Sequence, residues 1–200
     1  MFPIPHNGRE LTPGELGCYA SHIRVMQRIA KSDSPFALVL ESDAQPSAQS
    51  FRIIDNIAAG TDDWELLMLN WSACLPSFWQ RSALIEGFQK VRFARKSYHA
   101  AAYLLTPSGA RKILAHAFPI VMPVDDLMTG GKVDKGISTF ATFPCAVVLS
   151  DHYLVSSTIL DEEREAIERG KTSKKPRNRI KRWEMALRAW WYRIKRPPQI

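Results

Sequence analysis

The chain has 200 residues, enough for one sizeable core, and its 46% hydrophobic and 24% charged residues are those of a globular protein. Its net charge of +7 is unevenly placed: residues 171 to 200 hold 11 of the 27 Lys and Arg and 1 of the 20 acids, a net +10, leaving 16 basic and 19 acidic side chains, or −3, on residues 1 to 170. A slightly acidic body argues against a nucleic-acid-binding fold, and the lack of an apolar run of about 18 residues or of a signal peptide argues against a membrane span.

Cys18, Cys74 and Cys145 are odd in number and lack any Cys-x-x-Cys spacing, which predicts reduced thiols in a cytoplasmic setting and no zinc site. The division expected is a body over 1–170 and a basic tail over 171–200.

In chain order, Met1 to Leu11 reads as an extended lead-in. Thr12-Pro13-Gly14-Glu15 is a strong helix start, with Thr12 as N-cap, Pro13 in the first turn and Glu15 as the capping-box acid. Leu16, Tyr19, Ala20, Ile23, Met26 or Gln27, and Ile29 or Ala30 then recur at helical spacing to about Lys31. Phe36 to Leu40 is an all-apolar run after a turn, expected to be a central strand buried on both faces. It runs into Glu41-Ser42-Asp43. Strand side chains repeat every two residues, so both carboxylates are expected to project to one side, at the strand end where open α/β sheets bind ligands. Two hard oxygen ligands suit Mg²⁺ or Mn²⁺ held together with a substrate phosphate; the plainer reading is a strand end entering a polar turn.

Ser47 to Ala59 reads as a helix closed by Gly60, and Trp64 to Leu69 as a second buried strand. Residues 71 to 90 show no clean period and are expected to form a long loop. Tyr98 to Leu105 is a third strand, and Thr106-Pro107 opens a helix through Leu114. Pro119 and Pro123 interrupt the chain before Val124-Asp125-Asp126, another helix start. Ser138 to Phe143 and Ala146 to Leu149 are strand-like, and Asp161 to Arg169 is a charged helix ending at Gly170.

Leu11-Thr12-Pro13-Gly14-Glu15-Leu16-Gly17-Cys18-Tyr19-Ala20-Ser21-His22, followed by Ala37-Leu38-Val39-Leu40-Glu41-Ser42-Asp43, resembles glycosyltransferase family 25, which includes bacterial lipooligosaccharide galactosyltransferases. Trp64 to Leu69, His99 to Leu114 with Ala102-Tyr103, Pro123-Val124-Asp125 and Ser156-Ser157-Thr158-Ile159 match it in order and rough spacing. The resemblance covers about residues 8 to 160. It implies a GT-A-like nucleotide-sugar-binding α/β sheet flanked by helices, and transfer of a hexose, galactose first, from a UDP-sugar to a sugar hydroxyl of a lipopolysaccharide or related surface glycan.

On that resemblance Asp43 is a ligand of Mn²⁺ or Mg²⁺, with Glu41 a direct or water-mediated one. Asp125 is the first choice for the general base and Asp126 the second, with an N-cap role for Asp125 as the plainer reading. Glu15, Ser21 and His22 are the candidate substrate contacts; for Glu15 the capping role is preferred, and a helical His is ordinarily structural. Two departures from the family pattern stand out. Ser42 replaces the middle acid of a usual Glu-Asp-Asp, and only about ten residues precede the helix where members carry a strand and an Arg-containing loop. The alternative is therefore a catalytically inactive domain that tethers a partner or glycan.

Pro176 to Arg196 places Ile180, Trp183, Leu187, Trp190 or Trp191 and Ile194 at three- and four-residue steps among Lys and Arg, predicting a basic amphipathic C-terminal helix. It is expected at an anionic membrane surface, which would make the protein peripheral on the inner face beside a glycolipid acceptor. Packing on its own domain is the second reading, and a nucleic-acid arm the last.

Overall fold

The structure, a computed structural model, describes residues 10–60, 64–72, 76–93, 99–129 and 136–150. The expected helix at 161–169, the motif at 156–159 and the basic segment at 176–196 lie outside these residues. Among the described residues no helix is long and apolar enough to cross a membrane.

Helix α1 spans Pro13–Ile29 and starts as its sequence dictates: the Thr12 hydroxyl accepts from the Glu15 N–H and the Glu15 carboxylate accepts from the Thr12 N–H. Strand β1 (Ala37–Leu40) follows, then the short β2 (Ala44–Gln45) and helix α2 (Ala48–Ala58), capped by Ser47. Strand β3 is Leu66–Met68, β4 Pro76–Ala83, β5 Gln89–Phe93 and β6 Ala102–Leu105. Helices α3 (Pro107–Leu114) and α4 (Val124–Thr129) precede β7 (Thr139–Phe143) and β8 (Val148–Leu149).

Six strands form one sheet in the order β1-β6-β3-β7-β5-β4, in which only β3 and β7 run parallel; β2 and β8 make a separate antiparallel pair. The fold is thus mixed α/β with a largely antiparallel sheet. Helices lie on both faces. Leu66 and Met68 of β3 and Tyr103 and Leu105 of β6 join Tyr19, Ile23 and Met26 of α1, Ile113 of α3 and Leu127 of α4 in one core. The alternate residues Leu67, Leu69, Ala102 and Leu104 join Ile53, Ile54 and Ile57 of α2 in the other. That is the physical meaning of an all-apolar strand: each parity feeds a different core, and burying each large side chain contributes about 1.5–3 kcal/mol.

Two expectations are corrected. β1 is an edge strand of the six-stranded sheet, paired with β6 through Ala37↔Leu105 to Leu40↔Ala102, and its residues are half-buried, with Leu40 exposed. The apolar run alone does not distinguish edge from centre. Within 71 to 90 the chain forms strand β4 and the start of β5 rather than a long loop. The Phe88 N–H donates to the Ile85 carbonyl (3.0 Å), and the two residues between, Glu86 (φ 55°) and Gly87 (φ 81°), are both left-handed. This is the mirror-type turn whose twist suits a hairpin, written here as Glu-Gly instead of the more recognisable Asn-Gly or Asp-Gly.

Candidate functional site

A cavity of about 700 Å³ opens at the carboxyl end of β1, within the size range of small-molecule sites. One wall is α1, with Gly14, Glu15, Gly17, Cys18, Ser21 and His22. The floor is the turn Glu41-Ser42-Asp43, and the opposite side carries His99, Ala100, Pro123, Val124 and Asp125. Glu15, Ser21, His22, Glu41, Asp43 and Asp125, six of the seven residues singled out from sequence, therefore meet in one place although up to 110 positions separate them.

The turn departs from the strand-period argument. β1 ends at Leu40, and the Ala44 N–H donates to the Glu41 carbonyl (3.1 Å), so residues 41–44 form a β-turn in which alternation no longer fixes side-chain direction. Two bonds pin it: the Glu41 N–H to the Ala101 carbonyl (2.8 Å) and the Ser150 N–H to the Asp43 carbonyl (2.9 Å).

Glu41 turns toward α1. Its Oε1 lies 2.7 Å from His22 Nε2 and 3.6 Å from the Cys18 sulfur, and His22 Nδ1 lies 2.8 Å from the Tyr103 hydroxyl. Cys18 and His22 are four residues apart on α1 and so share one helix face. Burial, with the Glu41 charge next, pushes the Tyr103 hydroxyl far up, so it stays protonated beside Nδ1. The Glu41 carboxylate can only accept, so Nε2 carries a proton and donates to it. That hydrogen bond is the largest influence on Glu41 and holds its carboxyl below the usual carboxylate value despite burial. Burial first, then Glu41, pushes the Cys18 thiol up to about 12, so its S–H donates as well. His22 is 5% exposed. It is more than a packed core histidine and less than a freely reaching substrate contact.

Asp43 is the complement of this saturated cluster. Its Oδ1 is buried and has no hydrogen-bond partner among the described residues. A buried carboxylate oxygen left without a donor costs about 1–3 kcal/mol or more, so a cation at this position would satisfy it. A hard oxygen donor beside an open cavity fits Mg²⁺ or Mn²⁺ with water and phosphate filling the rest of the shell.

Asp125 sits in the first turn of α4 and lines the cavity; its Oδ1 accepts from the Asp126 N–H (2.9 Å) and its Oδ2 from the His99 N–H (3.4 Å). Asp126 does not line the cavity: it is 4% exposed, because the next helical position turns by about 100° and carries that side chain into the body. Glu15 is on the wall with its carboxylate engaged in the cap, and the Ser21 hydroxyl donates back to the Gly17 carbonyl (2.9 Å). His99, Cys18 and Tyr103 are site residues that sequence reasoning passed over. The four-residue spacing of Cys18 and His22 was the available signal for Cys18; for His99, whose φ is +75°, none was visible.

The family model described as glycosyltransferase family 25 (LPS biosynthesis protein) matches residues 2–128. "Inactive glycosyltransferase 25 family member 3" of Homo sapiens is 30% identical over 133 residues, 64% of this chain and 22% of that protein. "Procollagen galactosyltransferase 2" of Homo sapiens is 27% identical over 129 residues, covering 62% and 20%. "Procollagen galactosyltransferase 1-B" of Xenopus laevis is 28% identical over 133 residues, covering 64% and 21%. The chain spans about a fifth of the length of these curated relatives.

Proposed function

We propose, from the premise that the chain belongs to glycosyltransferase family 25, that the cavity at the end of β1 binds a UDP-hexose and transfers the sugar, galactose in this reading, to a hydroxyl of a glycan. The observation that carries the reading is the buried, orphaned Oδ1 of Asp43, a residue that lines the same cavity as Asp125. Asp43 would hold a divalent Mn²⁺ or Mg²⁺ ion, with the second oxygen of Glu41 or a water beside it. Bound there, the ion supplies the positive charge that makes a nucleoside diphosphate a competent leaving group. Asp125, oriented by the N–H groups of His99 and Asp126, accepts the proton of the acceptor hydroxyl. His22 and Cys18 orient Glu41. Ser21, on the exposed lip of α1, is placed to contact the donor. A surface glycolipid is the acceptor class that suits a basic, Trp-bearing tail.

A second reading is favoured by one residue and one relative. Ser42 stands exposed on the cavity floor between the two acids, lowering the charge available to a cation, and a relative at 30% identity bears the name inactive. In that reading the domain binds a nucleotide or glycan without turnover.

Calorimetric titration of UDP with and without Mn²⁺, beside Asp43→Ala, tests the site, and UDP release from UDP-galactose tests transfer. Metal-dependent binding that Asp43→Ala abolishes, with turnover lowered at least a hundredfold by Asp125→Asn, is the expected result. Binding without turnover selects the second reading, and no binding by a folded chain overturns both.

A further inference from the structure

We propose that Cys18, His22 and Glu41 form a second cation site, one that takes a thiophilic divalent ion of the Zn²⁺ class rather than the hard ion assigned to Asp43. The Cys18 sulfur, a His22 ring nitrogen and a Glu41 carboxylate oxygen all lie within 4.8 Å of one another. In a tetrahedral site with Zn–S of about 2.3 Å and Zn–O of about 2.1 Å, sulfur and oxygen stand about 3.6 Å apart. Cys18 Sγ and Glu41 Oε1 are 3.6 Å apart. The 2.7 Å between His22 Nε2 and Glu41 Oε1 is a hydrogen-bond distance, and it must open to about 3.4 Å when an ion takes the place of the shared proton. Glu41 can make that movement, since it lies on a turn and its side chain is 33% exposed.

The surroundings are those of a built metal site. The Tyr103 hydroxyl fixes the ring from its far side, as an outer partner of a metal-bound histidine does. That hydroxyl can accept as well as donate, so it accepts a hydrogen bond from Nδ1–H when Nε2 binds the ion. The thiol proton leaves to solvent. A thiolate, a carboxylate and a neutral imidazole then balance a doubly charged ion, and the cavity supplies both the entry path and the open fourth position. Mixed N, S and O donors select Zn²⁺ or Co²⁺ over Mg²⁺ or Mn²⁺. An expectation built on Cys-x-x-Cys pairs could not see a set assembled from one helix face and a distant turn. Occupancy draws Glu41 to the ion and places a charge in the cavity wall, so Zn²⁺ would compete with whatever ligand the cavity binds.

The site does not depend on the transfer reaction, and its test reads the metal directly. Co²⁺ is added to the purified full chain and the thiolate-to-cobalt charge-transfer absorption is followed, with circular dichroism to confirm the fold. The wild type, Asp43→Asn and the Cys74→Ser/Cys145→Ser double variant are expected to show the band at one equivalent, and Zn²⁺ to abolish it. Cys18→Ser loses the band and His22→Gln weakens Co²⁺ affinity at least tenfold. A folded wild type without the band, a band that survives Cys18→Ser, its loss in the double variant, or unchanged affinity in His22→Gln would each overturn the site. Failure of the UDP titration beside an intact cobalt band would count against the donor reading alone.

Discussion

At the scale of single residues, His22 is set by what lies on its two sides. The Tyr103 hydroxyl is bonded to Nδ1, and Nε2–H donates to Glu41, so a buried phenol helps set how a carboxylate at the cavity is held. Tyr103→Phe keeps the packing and removes the hydroxyl, leaving Nδ1 buried without that partner. The expected loss is about 1–2 kcal/mol of stability by denaturant unfolding, with a several-fold drop in UDP affinity. An unchanged affinity would mean that Tyr103 only packs. Gly17 separates stability from binding in the opposite sense. It sits in α1 on the cavity wall, and a Cβ built there meets nothing within 4 Å. Gly17→Ala should stabilise the helix by about 0.5–1 kcal/mol while placing a methyl group in ligand space. Higher thermal stability with weaker UDP binding is the expected pair of results.

At the scale of elements, Glu65 ties three of them together. It lies just before β3, its carboxylate accepts from Ser108 Oγ (2.6 Å) and Lys112 Nζ (2.7 Å) of α3, and it accepts from the Ser138 N–H (3.2 Å) ahead of β7. Burial opposes the charge, but the bonds from Lys112, Ser108 and Ser138 outweigh it and hold the carboxyl below its usual 4.5. The unfolded chain therefore takes up the proton first as pH falls. This contribution is complete above the ordinary carboxylate range and is lost as pH drops through it toward the folded value. Glu65→Gln should lower stability at pH 7 by about 1–2 kcal/mol and flatten the acid limb below pH 5, as followed by melts across pH. The same seat explains Gly109, where a Cβ would lie 2.6 Å from the Glu65 carbonyl oxygen, a backbone atom that cannot step aside. Gly109→Ala is expected to cost about 1–3 kcal/mol.

Elements were legible where local chemistry decides them. Thr12-Pro13-Gly14-Glu15 states a helix start in four residues, and Ser47 and Thr106 each announce another. The hairpin of β4 and β5 was hidden because Glu86 adopts a left-handed conformation that its residue type does not advertise. The edge position of β1 was hidden for another reason: strand order depends on which partner wins, and Ala37 to Leu40 reads much like Ala102 to Leu105. At the site, the acids could be named because few other residues do their chemistry. For Cys18 the spacing to His22 hinted at a shared helix face, but its contact with Glu41 emerges only when α1 brings it beside a turn 23 positions on.

For the whole molecule, the placement of the cavity follows from the sheet order. β6 and β3 lie inside the sheet with every residue fully buried, while β1 closes the edge, and the chain leaving it turns beneath α1 and opposite the start of α4. The interior strands give a fixed frame, and the edge is where local opening costs least. Amide exchange should therefore be slowest in 102–105 and 66–68 and faster in 37–40. Saturating UDP with Mn²⁺, at about 100 times the dissociation constant, adds about 2.7 kcal/mol by mass action, a factor of about 100 in protection for amides that exchange only from the unbound state. If the cavity is the binding site, the largest slowing falls on the fast-opening segments 14–22, 39–43, 99–101 and 123–125. The turn of the β4–β5 hairpin, which opens independently of that wall, should change little. Equal slowing at the hairpin turn and the cavity would show that UDP engages some other part of the fold, and would remove the reason for placing the donor between Asp43 and Asp125.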